Sequence, residues 1–244
     1  MDYYYLTDPG KVRTHNEDSV IIVKNNTGEF LLAVADGMGG HKGGEIASSI
    51  AISHIGDKFK ELDSIGTKDD AIDWIRKEVS EANRLIYEYT AQNPESQGMG
   101  TTLVLALLTH EFLIFGNIGD SSGYVYKDKM IHKVTTDHTL VNLLVKSGDL
   151  TPEEAKEHPR RNVLMRALGA STKVEMDIID VETDVDGVFL CSDGLTNMLD
   201  DSQIAKVLSE KLTIEEKLNK LIIKSNNRGG TDNISVAFLD KEVK

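Results

Sequence analysis

The sequence predicts an α+β protein in which antiparallel β-sheets are covered on the outside by helices. Short apolar and β-branched runs, separated by turn residues, predict strands near both ends of the chain and in its middle. Two long segments, 45–59 and 69–89, instead place apolar residues at the spacing of a helix. No linker-like or low-complexity stretch divides the 244 residues, so we expect one domain over 1–244.

The predicted elements follow in a simple order. Residues 3–7 predict a strand that ends at a turn over 8–10, and residues 19–23 and 30–35 predict a hairpin. After the two helices and a loop at 94–100, strands are predicted at 101–108, 112–118, 123–126, 130–134, 188–192 and 233–239, and helices at 202–208 and 214–225. Residues 137–169 are polar, short-helical and rich in charge, so we expect this segment to leave the sheets.

Aspartates stand at the ends of several predicted strands. In the hairpin, Asp18 precedes the outgoing strand and Asp36 follows the returning one, so the two carboxylates should be neighbours. Asp120 and Asp193 each follow a later strand, and Asp232 precedes the last one. The end of one strand and the start of its antiparallel neighbour lie at the same edge of a sheet. We therefore expect the five carboxylates to converge on one rim.

Carboxylates packed this closely repel one another unless a cation lies between them. Mg²⁺ and Mn²⁺ prefer such oxygen ligands, and two ions about 3.5–4 Å apart can activate a water and stabilise a phosphoryl transition state. A single Asp-Gly pair is more often an ordinary turn. The repetition, with glycine-rich flanks such as 37–44, favours metal binding, because dense glycine serves positive φ angles or the close approach of a ligand.

Composition argues against several classes of protein. The formal net charge of −13 argues against nucleic-acid binding, which needs a basic face, and fits either a carboxylate metal site or ordinary solubility. Cys191 is the single cysteine and lies in an apolar strand, so it is interpreted as a core residue in a chain without an intrachain disulfide. With no signal peptide and no apolar run long enough for a membrane span, the sequence indicates a soluble, cytoplasmic protein.

Other short motifs fit less well. The segment 37–42 lacks the Gly-Lys-Ser/Thr ending of a Walker loop, and Lys42 stands where a dinucleotide-binding fingerprint requires glycine. No Cys/His spacing predicts a zinc site, and no Gly-x-Ser-x-Gly elbow predicts a serine nucleophile.

Six short motifs occur in a fixed order that spans nearly the whole chain. They are Asp8-Pro9-Gly10 with Arg13 and Asn16-Glu17-Asp18, Ala35-Asp36-Gly37-Met38-Gly39-Gly40-His41, Gly100-Thr101-Thr102, Gly116-Asn117-Ile118-Gly119-Asp120-Ser121, Cys191-Ser192-Asp193-Gly194-Leu195, and Gly230-Thr231-Asp232-Asn233. Together they resemble the metal-dependent PP2C-type (PPM family) serine/threonine protein phosphatases, and the bacterial members most closely. Each motif alone is weak, but the combination is highly specific.

The resemblance implies a four-layer αββα sandwich with two central antiparallel β-sheets flanked by pairs of antiparallel helices. The metals would lie in a channel at one end, in agreement with the rim deduced from the strand ends. The segment 137–169 would be the family's flap near the active site. Its His158, Arg160 and Arg161 are candidates for contacts with phosphoprotein substrates, or else form a solvated face.

The resemblance also implies a set of metal ligands for two to three Mn²⁺ or Mg²⁺ ions. Asp36 would bridge two ions, and the Gly37 carbonyl would be a further ligand. Asp193 and Asp232 would hold the second ion. Asp120 with Asp193 would hold the third ion found in bacterial members.

The remaining implied roles concern the substrate and the reaction. Glu17 and Asp18 would act through metal-bound waters, and Arg13, unless it is only a surface charge, would bind the substrate phosphate as a bidentate fork. A metal-bridging hydroxide would attack phosphorus directly, with no phosphoenzyme. Animal members carry a histidine directly after the Asp-Gly pair, but this chain has Met38 there. The acid for the leaving group is therefore either His41 or a metal-bound water.

The leading hypothesis is a monomeric phosphoprotein phosphatase that opposes a bacterial serine/threonine kinase and acts on its substrates. A non-catalytic relative that keeps the fold as a regulatory module is a second possibility. Loss of metal ligands would mark such a protein, whereas Asp36, Asp193 and Asp232 are all present. A dedicated antagonist of one phosphorylated regulator would share the chemistry and differ only in its partner.

Overall fold

The structure is a computed structural model that describes residues 1–39 and 43–241. Its strands are β1 (Asp2–Asp8), β2 (Asp18–Lys24), β3 (Phe30–Met38), β4 (Gly100–Thr101), β5 (Leu103–Leu108), β6 (Leu113–Ile118), β7 (Ser122–Lys127), β8 (Met130–Lys133), β9 (Asp177–Val181), β10 (Gly187–Cys191) and β11 (Ile234–Asp240). Its helices are α1 (Gly43–Lys60), α2 (Lys68–Gln92), α3 (Leu140–Ser147), α4 (Pro152–Glu157), α5 (Asp193–Thr196), α6 (Asp201–Leu208) and α7 (Ile214–Asn227).

The strands form two antiparallel sheets. The first sheet has the order β1-β11-β10-β7-β8, and the second has the order β2-β3-β5-β6-β9, with the short β4 paired to β3. The predicted hairpin is confirmed as the pair β2 and β3, in which Asp18 stands opposite Asp36. Each sheet therefore contributes strand ends to the same region of the molecule.

Alternating side chains explain why the central strands are apolar throughout. In β3, Leu31 and Ala33 pack against α1 and α2, whereas Leu32 and Val34 pack against the other sheet. In β10, Cys191 faces α6 and α7. A strand that is buried on both faces reads as a continuous apolar run rather than as an alternation. The four layers confirm the predicted sandwich of two sheets with helices outside.

Three details differ from the sequence-based expectation. The strand β9 was not predicted: it is a five-residue edge strand with β6 as its neighbour, and its acidic residues Asp177 and Asp180 weaken the apolar signal. The strand predicted at 101–108 is interrupted at Thr102, although its register with β3 continues on both sides. The predicted loop 94–100 includes a short 3₁₀ turn over Pro94–Ser96.

Residues 137–169, which we call the flap segment, lie outside both sheets as expected and contain α3 and α4. Both helices begin at a threonine whose hydroxyl caps the first turn, Thr139 in α3 and Thr151 in α4. The end of the segment is tied to the second sheet, because Leu168 and Thr101 exchange backbone hydrogen bonds of 2.9 and 3.1 Å. Among residues 1–39 and 43–241, none of the helices combines the length and hydropathy that a membrane span requires.

Candidate metal centre and catalytic cavity

One end of the sandwich contains an acid-lined cavity of about 430 Å³. Its walls include Arg13, Glu17, Asp36, Gly37, Asp120, Asp193 and Asp232, and the flap segment adds Asn162, Met165 and Arg166. Four of the five predicted aspartates thus line one cavity. The fifth, Asp18, is buried behind the wall, beside Asp36.

Strand ends and one helix start bring the five carboxylates together. Asp18 opens β2 opposite Asp36, which lies near the end of β3. Asp120 lies in the turn between β6 and β7, so it connects the second sheet to the first. Asp193 is the first residue of α5, directly after β10, and Asp232 stands just before β11. The predicted rim therefore exists, while the role of each aspartate as a ligand stays a prediction.

The backbone of Asp36 is fixed by the two threonines of the Gly100-Thr101-Thr102 motif. The Asp36 amide donates to Thr102 Oγ1 at 2.9 Å, and the Asp36 carbonyl accepts from the Thr102 amide and from Thr101 Oγ1, both at 2.9 Å. Thr102 Oγ1 also lies 2.8 Å from Ser121 Oγ. These buried contacts hold the Asp36 carboxylate in place at the cavity wall.

Gly37 is required by the close approach of two other backbone segments. Its amide donates to the Glu17 carbonyl at 3.1 Å. A Cβ at this position would overlap the carbonyl oxygens of both Glu17 and Gly44. The need at Gly37 is therefore space rather than a positive φ angle, since its φ is not in the left-handed region.

Two buried carboxylate oxygens in the cluster have no hydrogen-bond partner. Asp18 accepts from Ser192 Oγ at 2.7 Å through Oδ2, but its Oδ1 is unpartnered. Asp193 accepts from Asn197 Nδ2 at 3.0 Å through Oδ2, and its Oδ1 is likewise unpartnered. Buried polar atoms nearly always find a partner, so these two oxygens are suited to contact a bound cation or its water ligands.

Burial and mutual repulsion shift the pKa values of the cluster upward. Burial raises the pKa of Asp36 well above its usual range, and the charges of Asp18 and Asp193 raise it further. Burial, helped by the charge of Asp193, raises the pKa of Asp120 to about 7. Burial and the charge of Asp232 raise the pKa of Asp193. A cation between the carboxylates would offset their repulsion and would compensate for the cost of burying their charge, so the cluster fits a metal site.

The donor set is also the right one for Mg²⁺ or Mn²⁺, since it consists of carboxylate and carbonyl oxygens. In the part of the chain that the structure describes, no three Asp, Glu, His or Cys side chains form a closed set of ligands by themselves. Each ion would therefore take its other ligands from backbone carbonyls and water. Mg²⁺ is ordinarily held in this way, by one or two carboxylates and several retained waters.

Arg13 lies at the mouth of the cavity and is half exposed. Its Nη2 donates to Asp232 Oδ2 at 2.9 Å. Burial opposes the charged guanidinium, but Asp232 outweighs that cost and the pKa of Arg13 is raised. Glu17 lines the same wall, and burial raises its pKa. His41, the candidate acid, lies outside the described residues, so its predicted role stays a prediction.

Comparison with known proteins identifies the family. A family model described as protein phosphatase 2C matches residues 11–222. The chain belongs to the protein phosphatase 2C family. It is 39% identical over 245 residues to the serine/threonine phosphatase stp of Listeria monocytogenes, and this alignment covers 100% of the chain and 97% of that protein. As a PP2C-type protein, the chain is a serine/threonine protein phosphatase.

Solved PP2C-type structures share the fold. The S. agalactiae serine/threonine phosphatase superposes with a TM-score of 0.93 at 38% identity, over 99% of each chain. The catalytic domain of the phosphatase PstP, solved in complex with two manganese ions, superposes with a TM-score of 0.83 at 33% identity, over 98% of this chain and 97% of that one. The family predicted from six motifs is thus confirmed.

The PP2C site also depends on residues to which sequence reasoning assigned no role. Ser192 holds the buried Asp18, and Asn233 holds the loop that contains Glu17. Arg166 lines the cavity and donates to Asp177 Oδ1 at 2.7 Å. Ser192 and Asn233 stand inside recognised motifs, which was the only available signal. Nothing in the sequence indicated a role for Arg166 beyond its position in a charged segment.

Proposed function

We propose that this phosphatase removes phosphate from phosphoserine and phosphothreonine on proteins with two to three Mn²⁺ or Mg²⁺ ions, and that water attacks phosphorus without a phosphoenzyme. The observation that supports this most directly is the convergence of four aspartates on one cavity wall, with Asp18 buried behind it and with unpartnered buried oxygens on Asp18 and Asp193. The manganese complex of PstP, a protein of the same fold, supports the choice of metal.

The residues that would hold the ions all face or adjoin the cavity. Asp36 and the Gly37 carbonyl would bind on the side of the second sheet, and Asp193 and Asp232 on the side of the first. Asp120 with Asp193 would hold a third ion. When bound, the ions supply an activated water and offset the negative charge on the phosphoryl oxygens.

Arg13 would position the substrate phosphate. Only one of its guanidinium nitrogens donates to Asp232, which leaves further N–H groups for phosphate oxygens in a fork geometry that lysine cannot reproduce. Glu17 would act on the ions through intervening waters, as would Asp18 from behind Asp36. The half-exposed position of Arg13 at the mouth suits a group that must meet a phosphorylated protein rather than a small buried ligand.

We propose water as the nucleophile, because the described lining of the cavity contains no Ser, Cys or His side chain. Among the described residues that line it, Thr102 alone has a hydroxyl, and that oxygen already bonds to Asp36 and Ser121. Cys191 is fully buried, and burial raises the pKa of its thiol. For the leaving oxygen we propose either His41 or a water as the acid.

In a cell, this activity would reset the substrates of a serine/threonine protein kinase. We propose that the chain acts as a monomer in the cytoplasm, on phosphorylated proteins that the same kinase modifies. The bacterial phosphatases that it resembles over 97–99% of their length support this assignment.

The deciding experiment is hydrolysis of a phosphothreonine peptide with Mn²⁺, with EDTA, and with Asp193→Ala plus Mn²⁺. We expect activity in the first case and a loss of at least about a hundredfold in the other two, because several kcal/mol of transition-state stabilisation disappear. Asp184→Ala is the matched control, since Asp184 is exposed and lies outside the cavity wall. Mass spectrometry of the quenched enzyme should show no covalent phosphate. Folded protein without metal-dependent activity would refute the proposal.

A further inference from the structure

His138 is a largely buried histidine beside the turn that carries Asp120, and the proposed reaction assigns it no role. Its side chain is 9% exposed, and it lies just before α3. It is not among the residues that line the catalytic cavity. An effect of this histidine on the metal centre must therefore pass through a neighbouring residue.

His138 binds both backbone groups of Gly119, the residue before Asp120. The His138 amide donates to the Gly119 carbonyl at 2.9 Å, and the Gly119 amide donates to His138 Nδ1 at 3.2 Å. The φ angle of Gly119 is 101°, which favours glycine, and a Cβ at this position would overlap Thr102. The peptide that leads into Asp120 is thus fixed by His138 and by close packing against the threonine that also holds Asp36.

The contacts of the imidazole define where its proton lies. A backbone amide can only donate, so Nδ1 must accept from Gly119 and the proton must be on Nε2. The Nε2 proton is donated to Asp177 Oδ2, at 3.1 Å. Burial opposes the charge of Asp177, but hydrogen bonds from His138 and Arg166 outweigh it and lower the pKa of Asp177. The ionised carboxylate therefore keeps the ring in the orientation that presents Nδ1 to Gly119.

Asp177 also connects the histidine to the wall of the catalytic cavity. Its Oδ1 accepts from Nη1 of Arg166, a cavity-lining residue, at 2.7 Å. The same Nη1 lies 3.4 Å from His138 Nε2, so two donors meet at one carboxylate. As the first residue of β9, Asp177 stands opposite Asn117 of β6, whose Nδ2 donates to the Gly119 carbonyl at 3.3 Å. The network is therefore anchored on the second sheet as well as on the flap segment.

A second histidine shows what a pair that only connects elements of the fold looks like. His54 Nε2 lies 2.9 Å from Glu78 Oε2, and the two side chains connect α1 to α2. Within the described ranges, this ring makes no hydrogen bond to the backbone next to a proposed metal ligand. His138 differs because its second nitrogen binds the peptide beside Asp120.

We propose that His138 is a positioning residue for metal binding: its Nδ1 fixes the Gly119 peptide and thereby places the Asp120 carboxylate where it holds an ion. Asp177 acts behind it, by keeping the imidazole in the required tautomer. This inference rests on the proposed function, because it assumes that Asp120 is a metal ligand. It explains why a histidine and an aspartate outside the cavity are joined to the one turn that connects the two sheets there.

Two amide side chains separate the roles of the two ring nitrogens. Asparagine has an oxygen near the position of Nδ1, so His138→Asn keeps an acceptor for the Gly119 amide and loses Asp177. Glutamine has its amide nitrogen near the position of Nε2, so His138→Gln keeps a donor for Asp177 and loses the acceptor. Electron paramagnetic resonance of free Mn²⁺ measures metal binding to each full-length variant. We expect His138→Gln and His138→Ala to weaken the Asp120-dependent ion about tenfold, and His138→Asn to stay within about threefold of wild type.

Asp120→Asn removes the proposed ligand itself and shows which bound ion depends on it. The His138→Ala/Asp120→Asn variant should bind Mn²⁺ as Asp120→Asn does, because both changes remove the same interaction. The Mn²⁺ concentration for half-maximal hydrolysis of a phosphothreonine peptide should rise in the same order across the variants. Additive losses in the double variant, or unchanged Mn²⁺ binding in Asp120→Asn, would overturn the inference.

His54→Ala is the matched control, because it breaks a histidine–carboxylate pair in which the histidine is similarly buried, away from the cavity. It should lower the Tm in EDTA and leave Mn²⁺ binding as in the wild type. Equal Mn²⁺ affinities for folded His138→Asn and His138→Gln would overturn the inference and leave the proposed function in place. A wild type that neither binds Mn²⁺ nor hydrolyses the phosphopeptide would overturn the proposed function, and the inference with it.

Discussion

Ser192 shows how single hydroxyl groups set up the acidic centre. Its Oγ donates to Asp18 Oδ2 at 2.7 Å and accepts from the Ser235 amide at 2.9 Å, in a fully buried position. It is therefore the partner that orients the Asp18 carboxylate, whose other oxygen is unpartnered. The serine also links the end of β10 to β11.

Replacing this serine should destabilise the protein without changing its fold. Ser192→Ala removes two buried hydrogen bonds, so the free energy of unfolding should fall by about 1–3 kcal/mol, measured by urea denaturation in EDTA. Ser209→Ala is the control, because Ser209 donates only to the Lys206 carbonyl on the surface, and its effect should stay within about 0.5 kcal/mol. Equal stabilities for the two variants would contradict this account of Ser192.

The sequence predicts the site residues that belong to a recognisable pattern of neighbouring residues. An aspartate after an apolar run marks Asp36 and Asp193, because a strand end and its acid are adjacent in the chain. Ser192 and Asn233 leave no such pattern, since their partners Asp18 and Glu17 are 174 and 216 residues away. Such roles arise only when the two sheets are packed together.

At the scale of elements, the loop between β1 and β2 depends on one side chain from the opposite end of the chain. Asn233 Oδ1 accepts from the Glu17 amide at 2.8 Å, and its Nδ2 donates to the carbonyls of Pro9 and His15, both at 2.9 Å. Arg13 lies within the loop that these three bonds span. Asn233 therefore acts as a clamp that positions both Glu17 and Arg13 at the cavity.

Removing the clamp should affect stability and substrate binding together. Asn233→Ala loses three hydrogen bonds at a buried position, so we expect the free energy of unfolding to fall by about 2–4 kcal/mol. The KM for a phosphopeptide should rise, because the loop no longer holds Arg13. Asn219→Ala is a suitable comparison, since Asn219 bonds only to the Glu215 carbonyl within α7. Lower stability with an unchanged KM would show that Arg13 keeps its place without the clamp.

The same scale explains which elements the sequence predicts well. Strands β2 and β3 were predictable because a short turn joins them and sets their register. The edge strand β9 was not, because its pairing with β6 rather than its own residues stabilises it. The interruption of the strand at Thr102 could likewise not be predicted, since it arises where Thr102 forms hydrogen bonds with Asp36.

At the scale of the whole molecule, the acidic centre joins the two sheets. Asp18 and Asp36 belong to the second sheet, whereas Asp193 and Asp232 stand at the ends of strands in the first. Without a cation, the charges of these close carboxylates raise the free energy of the folded state at this end. A bound ion reverses the sign of this contribution, so metal binding should stabilise the fold as well as provide chemistry.

The linkage to pH has a definite sign. Burial raises the pKa of Asp18 from 3.8 to about 7 in the folded chain, and the pKa of Asp120 rises to about 7 for the same main reason. Between about pH 4 and about pH 7, Asp18 and Asp120 keep their protons in the folded state, whereas the same side chains have released them in the unfolded state. The free energy of unfolding of the metal-free protein should therefore fall as pH rises from about 4 to about 7, by an amount on the order of a few kcal/mol.

Thermal unfolding in EDTA and in Mn²⁺, over a series of pH values, tests this expectation. The Tm in EDTA should fall with rising pH across that window, and the increase in Tm produced by Mn²⁺ should grow, because the ions bind the deprotonated carboxylates. Asp18→Asn should flatten part of the EDTA curve, since this variant removes one of the carboxylates whose pKa is raised in the folded chain. An EDTA curve that is flat or rises with pH would show that the pKa values of these carboxylates are not raised in the folded chain. Such a curve is incompatible with a carboxylate cluster that is built around cations.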